Sequence, residues 1–318
     1  MVILADVLSA RERLAGIIHY TPLLYSRTLS EMTGNEIYLK CENMQKTGSF
    51  KIRGAYNAVS VLSDDEKARG VVTGSSGNHG QAMVYAASKL GVRSVVVMPE
   101  DASKAKIAAC EGYGGTVILH GITSEARLAK ADELVRDQGM ILVHPFDNAY
   151  VIAGQGTISR EILEQLPDAQ YILAPIGGGG LLSGVALAAK ETRPEVQVVG
   201  VEPEVGARMR YSWEHGEVSE LLQWQPSVAD GMRTRRPGVL PFAITRKYVD
   251  QLVTVSESEI IQATKLVLER VKILAEPSGA AAVAAMLADT LGIRGQKVVC
   301  VVSGGNVELA KYGKILQM

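Results

Sequence analysis

Short runs of consecutive apolar, mostly β-branched residues alternate along the chain with longer stretches whose apolar positions recur at helical spacing. The short runs predict strands over Gly70–Thr73, Ser94–Met98, Thr116–His120, Ile141–His144, Tyr171–Ile176, Val196–Glu202 and Lys297–Ser303. Between them the helical pattern predicts His79–Leu90, Ser103–Glu111, Ser124–Gln138, Ala153–Gln165, Leu181–Glu191, Ser258–Val271 and Ala280–Leu291. Near-continuous apolar strands separated by helices predict parallel sheets covered on both faces, an α/β architecture. The strands between about residues 70 and 145 form one cluster and those after Tyr171 another, so two open sheets are expected. No repeat at solenoid spacing and no low-complexity linker interrupts the pattern. The opening MVILADVLSARERLAG is broken by Asp6 and then by Arg11, Glu12 and Arg13. It reads as an amphipathic helix, too short in its apolar part for a signal-peptide core. The longest apolar stretch, near Gly279 to Ala288, stops at Asp289, short of the ~20 residues needed to cross a bilayer.

Composition narrows the classes. A chain of 318 residues with 47% hydrophobic residues can bury one large core or two smaller ones. A formal net charge of -1 offers no basic stripe for nucleic acid, so neither a nucleic-acid nor a membrane partner is expected. Cys41, Cys110 and Cys300 are far apart and form no CxxC pair, which predicts buried free thiols in a reducing, cytoplasmic setting.

In open α/β sheets ligands sit beyond the carboxyl ends of the strands. Three post-strand loops are unusual: GSSGNHG (Gly74–Gly80), GGGG (Gly177–Gly180) and SGGN (Ser303–Asn306). Four glycines at a helix start let the backbone approach a ligand, and the free N–H groups behind them favour an anion, phosphate above all. A tight turn is the plainer alternative. A dinucleotide fingerprint is a poorer one, because Leu182 or Ser183 stands where GxGxxG needs its third glycine, although Glu202 could mimic a ribose-binding acid. Lys51, in KTGSFKIRGAYNAV, is by spacing alone either an ordinary surface lysine or a desolvated amine helped by Phe50 and Ile52. His79 reads as a packing residue at a helix start more than as a base. His19, His120, His144 and His215 are scattered without metal-ligand spacing.

Taken together, KTGSFKIRGA, SSGNHGQA, GGGGL, EPSGA and SGGNVEL occur in an order that resembles the fold-type II pyridoxal-phosphate (PLP) enzymes, and within them the threonine/serine dehydratase and serine racemase group. The resemblance covers nearly the whole chain and implies a tryptophan synthase β-subunit-like fold. It implies a large domain from residues 1–65 and 148–318, a small central domain from 66–147, PLP between them, and a homodimer. Lys51 would be the Schiff-base lysine and one acid/base, with Phe50 packed on the cofactor. Asn78 would bond the ring hydroxyl oxygen, and Gly177, Gly178, Gly179, Gly180 and Leu181 would grip the phosphate. Ser303 would meet the pyridine nitrogen with Glu276 nearby. Ser75, Ser76, Gly77 and His79 would surround the substrate carboxylate, and Ser76 would be the second-face acid/base of a racemase.

The implied reaction is loss of ammonia from a small hydroxy-amino acid such as L-serine or L-threonine. Racemisation and hydroxyaspartate elimination remain open, the latter needing a cationic side chain such as Arg53 or Arg208. β-Replacement of the cysteine-synthesis kind ranks lower, since that family's asparagine loop differs from SSGNHG. The racemase-like metal site has a glutamate and, six residues on, an aspartate. Here Glu202 is followed by Gly206 and Arg208, so a divalent cation at Glu202 is doubtful. With the sequence running to Met318 soon after SGGNVEL, no regulatory domain of the biosynthetic threonine dehydratases is expected.

Overall fold

The computed structural model describes residues 2–75, 77–102, 104–221 and 223–318, with the backbone alone at Ser124 and Glu125. Ten strands form two sheets among these residues. The smaller has the order β5-β4-β3-β6, built from β3 (Val71–Gly74), β4 (Ser94–Met98), β5 (Thr116–Leu119) and β6 (Ile141–Leu142), all parallel. The larger has the order β1-β2-β10-β7-β8-β9. Its members are β1 (Leu23–Tyr25), β2 (Glu36–Cys41), β7 (Tyr171–Pro175), β8 (Gln197–Pro203), β9 (Gln251–Val255) and β10 (Lys297–Val302).

Each of the seven expected strands is present, β6 being cut to two residues because the chain turns at His144 and Pro145. The sequence pattern missed β1, β2 and β9. β1 is a three-residue edge strand and the one antiparallel neighbour, paired with β2. β2 carries Lys40 among its buried residues, which breaks the apolar run, and β9 is a half-buried edge strand. β2 and β10 pair in register from Glu36↔Lys297 to Cys41↔Val302, so the N-terminal part and the last strand of the chain end side by side. The helix Glu257–Leu266 runs on through a wide turn, Val267–Val271, as the expected Ser258–Val271 segment required. Cys41, Cys110 and Cys300 are buried and unpaired. Among the described residues no helix is long and apolar enough to cross a membrane.

The helices Lys51–Ser60 and Ala149–Gln165 are joined to β2 by ion pairs removed from water. Arg53 is fully buried and donates twice to Glu42, at 2.7 and 2.8 Å, and twice to Glu161, at 2.6 and 2.9 Å. Lys40 donates to Glu161 at 2.6 Å, to the Thr21 carbonyl at 2.7 Å and to Gln165 at 2.9 Å. Two cations face two carboxylates, so the cluster is electrically balanced, and the planar fork of Arg53 fixes its geometry. Because Arg53 lies two residues beyond Lys51, the cluster sets the depth and rotation of the helix that begins at Lys51.

Removing one member leaves a buried charge without its partner. Arg53→Ala should therefore lower stability by about 3–5 kcal/mol, with Arg53→Lys losing less. Denaturant melts followed by circular dichroism check this, and a loss from Arg53→Ala no greater than that of an exposed Arg27→Ala control would contradict it.

Candidate active site

The SGGN loop after β10 ties two other segments together. Phe50 N–H donates to the Ser303 carbonyl at 3.1 Å, Ser49 and Gly304 form an antiparallel bridge, and Gly305 N–H donates to the Gly48 carbonyl at 2.9 Å. Glu276 N–H donates to the Gly304 carbonyl at 3.0 Å, bringing EPSGA to the same place. Held this way, the chain enters the Lys51–Ser60 helix with Lys51 as its first residue and Phe50 before it. The Lys51 ammonium lies 5.1 Å from the Phe50 ring centroid and donates to the Pro145 carbonyl at 2.9 Å. Burial pulls its pKa down to about 8, against a small opposing pull from Glu276.

GSSGNHG follows β3 of the smaller sheet, and its Asn78 meets this loop cluster. Asn78 starts the helix Asn78–Lys89 and donates from Nδ2 to Glu276 Oε1 at 2.8 Å, while its Oδ1 accepts from Asn306 Nδ2 at 2.8 Å. Asn306 also donates to the Thr47 carbonyl at 2.7 Å. Burial first, and Asp230 second, push the Glu276 carboxyl up to about 8. Ser75 Oγ accepts from Gly77 N–H at 3.4 Å and from Gly80 N–H at 3.2 Å, shaping the turn. His79 is buried, with Nε2 at 3.0 Å from the Val143 carbonyl, and burial with the nearby Lys51 charge pulls it down to about 3. It is a neutral ring whose Nδ1 has no partner among the described residues. Ser76 lies outside the described residues.

Gly177–Gly180 follow β7, and the helix Gly180–Thr192 begins with no side-chain cap. Gly179 has φ 96, a left-handed conformation that favours glycine. A Cβ on Gly178 would lie 2.3 Å from the Phe146 ring, so only glycine fits there. Phe146 follows Pro145, the acceptor for Lys51, and one dipeptide therefore joins the amine to the tetraglycine turn. Within the segment 144–148, Pro145, Phe146, Asp147 and Asn148 escaped the sequence reading. Its signal was its place after β6 and its Pro, Asp and Asn, which favour turns. His144 Nδ1 accepts from Asp147 N–H at 2.9 Å, and the Asp147 carboxylate accepts from Val239 N–H at 2.9 Å and Leu240 N–H at 3.0 Å.

Contacts thus link Lys51 to Pro145 and, through Phe146, to Gly178, link Phe50 to Ser303, and link Asn78 to Glu276, with Ser75, Gly77 and His79 beside Asn78 in the sequence. Glu202, Arg53 and Arg208 take no part in these contacts and are fully buried. Glu202 accepts from Met209 N–H at 3.0 Å and Arg210 N–H at 2.9 Å and pairs with Arg208 at 3.5 Å. A carboxylate so enclosed has no face for a ribose, which corrects the dinucleotide alternative. Among the described residues no group of three His, Cys, Asp or Glu could hold a metal ion.

A family model described as pyridoxal-phosphate dependent enzyme matches residues 14–304. The chain belongs to the pyridoxal-phosphate dependent enzyme family. It is 45% identical over 316 residues to an L-threonine ammonia-lyase of Thermotoga maritima, covering 99% of this chain and 78% of that one. It is 46% identical over 319 residues to a serine racemase of Dictyostelium discoideum, covering 99% and 98%. The solved structure of maize serine racemase superimposes with a TM-score of 0.94 at 36% identity, covering 99% of this chain and 97% of that chain.

The residues present fit the cofactor of this PLP-dependent family. An uncapped helix start behind four glycines offers N–H groups and a positive dipole end to a phosphate. A half-buried lysine pulled down to about 8 can supply a neutral amine for an aldehyde.

The two shifted groups act oppositely on the cofactor-free protein. Glu276 at about 8 keeps a proton that the unfolded chain loses above 4.5, so stability should fall as pH rises through that window. Lys51 at about 8 sheds its proton before the unfolded chain does at 10.5, so the cost of its buried charge is present below about 8 and relieved toward 10.5. Glu276→Gln should abolish the decline between 4.5 and 8 in a pH series of melting temperatures, and an unchanged slope would contradict the assignment.

Proposed function

We propose that the chain is a PLP-dependent ammonia-lyase acting on a small hydroxy-amino acid, L-threonine or L-serine, and releasing 2-oxobutanoate or pyruvate with ammonia. The observation that carries the reading is the Lys51 amine, half-buried and pulled down to about 8, one dipeptide away from a four-glycine turn at an uncapped helix start. The threonine ammonia-lyase relative supports the substrate class. The proposal includes the domain division into 1–65 with 148–318 and 66–147, and the cytoplasmic homodimer that the resemblance implies.

When bound, PLP supplies an electron sink for the pair left by the breaking Cα–H bond. Gly177 to Gly180 and Leu181 would hold its phosphate through backbone N–H groups. Phe50 would pack beside its ring. Asn78, its amide fixed by Glu276 and Asn306, would face the ring hydroxyl oxygen. Ser303 would face the ring nitrogen with a neutral hydroxyl, and Glu276 at about 8 adds little negative charge there below that pH. Lys51 Nζ would take the substrate α-proton, which a neutral amine near working pH can do. Ser75, Ser76 and Gly77 would receive the substrate carboxylate, with neutral His79 behind them.

The second reading is an amino-acid racemase, favoured by the Dictyostelium relative at 46% identity over 98% of its length. It needs Ser76 as acid/base on the opposite face. Hydroxyaspartate is less supported: Arg53 and Arg208 are buried against carboxylates, so neither offers a free cation to a second substrate carboxylate.

Incubation with L-threonine, L-serine and L-threo-hydroxyaspartate, with oxo acid and D-isomer both measured, tests the ranking. Oxo acid from threonine and serine should predominate; D-serine with little pyruvate would reverse the order of the two readings. Lys51→Ala should reduce both reactions by at least ~10²-fold. Ser76→Ala should spare elimination and suppress any racemisation, and equal loss of both would count against a second-face role.

A further inference from the structure

Beyond the carboxyl end of β8, four oxygens converge on one guanidinium. Arg208 is fully buried. Its Nε donates to the Gly206 carbonyl at 2.6 Å and lies 3.5 Å from Glu202 Oε1. Its NH1 donates to the Met232 carbonyl and to Thr234 Oγ1 at 3.2 Å. A carboxylate, two backbone carbonyls and a hydroxyl are the hard oxygen donors that calcium and magnesium take from proteins. Here they surround a side chain, and the residues do not fit a metal ion: its place beside Glu202 is filled by a positive group that would repel it.

We propose that Arg208 is a built-in cation, which gathers these oxygens and so positions the phosphate-facing glycine turn without any metal. Charge balance supports it. Glu202 faces one guanidinium at 3.5 Å, and that positive charge opposes the burial that pushes the carboxyl up. An acid at position 208, as in the racemase-like pattern from which this chain departs, would instead set two carboxylates together and demand a dication.

The clamp bears on the glycine turn from two sides. Met209, next to Arg208, places its Cε 2.6 Å from where a Cβ on Gly179 would be. Met232 follows Gly231, whose carbonyl lies 3.0 Å from the corresponding point on Gly177 and whose N–H donates to Ser278 Oγ at 2.9 Å. Arg208 thus joins the segment after Glu202 to the segment carrying Met232 and Thr234, and both segments touch the turn. It is a positioning residue, and its effect is independent of which substrate the enzyme takes.

The test uses the purified holoenzyme and the variants Arg208→Asp and Arg208→Ala, each in EDTA and in magnesium, calcium or manganese chloride. Melting temperature and cofactor retained after dialysis are measured. The unmodified protein should respond to neither chelator nor cation. Arg208→Asp should lose cofactor in EDTA and regain it with a divalent ion. Its melting temperature should rise by roughly 5 °C at about a hundred times the ion's dissociation constant. Arg208→Ala, left with a single acid, should be rescued more weakly. Soluble protein obtained only with the ion present would also support the proposal. It is overturned if EDTA destabilises the unmodified protein, if neither variant responds to any ion, or if both fail to fold with and without ions.

Discussion

An ammonium half-buried in protein with a carbonyl for its hydrogen-bond partner is costly to fold. Lys51 is in that position: it donates to the Pro145 carbonyl, lies against the Phe50 ring, and feels Glu276 only at a distance. The cost appears as a pKa drawn down to about 8. It is also what makes the group useful, because an amine that gives up its proton easily can attack an aldehyde and later accept a proton from carbon. The remaining architecture fixes where this one group sits.

Several independent attachments achieve that. On the inner side, the Arg53 cluster fixes the helix that starts at Lys51 by tying it to β2 and to the Ala149–Gln165 helix. On the loop side, Ser303 to Gly305 hold the backbone of Gly48 to Phe50. The amide of Asn78 is shared between Glu276 and Asn306, which ties the turn after β3 to the loops of the larger sheet. Pro145 and Phe146 then connect the amine to the tetraglycine turn. Strands β3, β7 and β10 deliver their loops to this place from two sheets, with β7 and β10 adjacent in one and β3 in the other.

The parts of this arrangement that follow from periodicity were legible in the sequence. Apolar runs located seven strands, and the strand-end rule pointed to GSSGNHG, GGGG and SGGN. The pattern failed where burial is polar. β2 was invisible because Lys40 is neutralised by Glu161, more than a hundred residues away, and no local signal encodes such a pairing. Phe146 was missed for a related reason: its importance lies in a contact with Gly178, distant in sequence. Asn306 stood inside a quoted motif, yet only the fold sets it against Asn78. Lys51 itself could not be separated from a surface lysine by spacing. Its motif company raised it, and burial gave the reason.

The central claim is that residue 51 is the amine that meets the cofactor aldehyde. Borohydride reduction of the protein loaded with PLP, followed by proteolysis and mass mapping, tests it directly. The account predicts that the cofactor is fixed on the peptide containing Lys51 and is absent from every peptide of Lys51→Ala. Cofactor fixed on another lysine, or a Lys51→Ala protein labelled as fully as the parent, would contradict it.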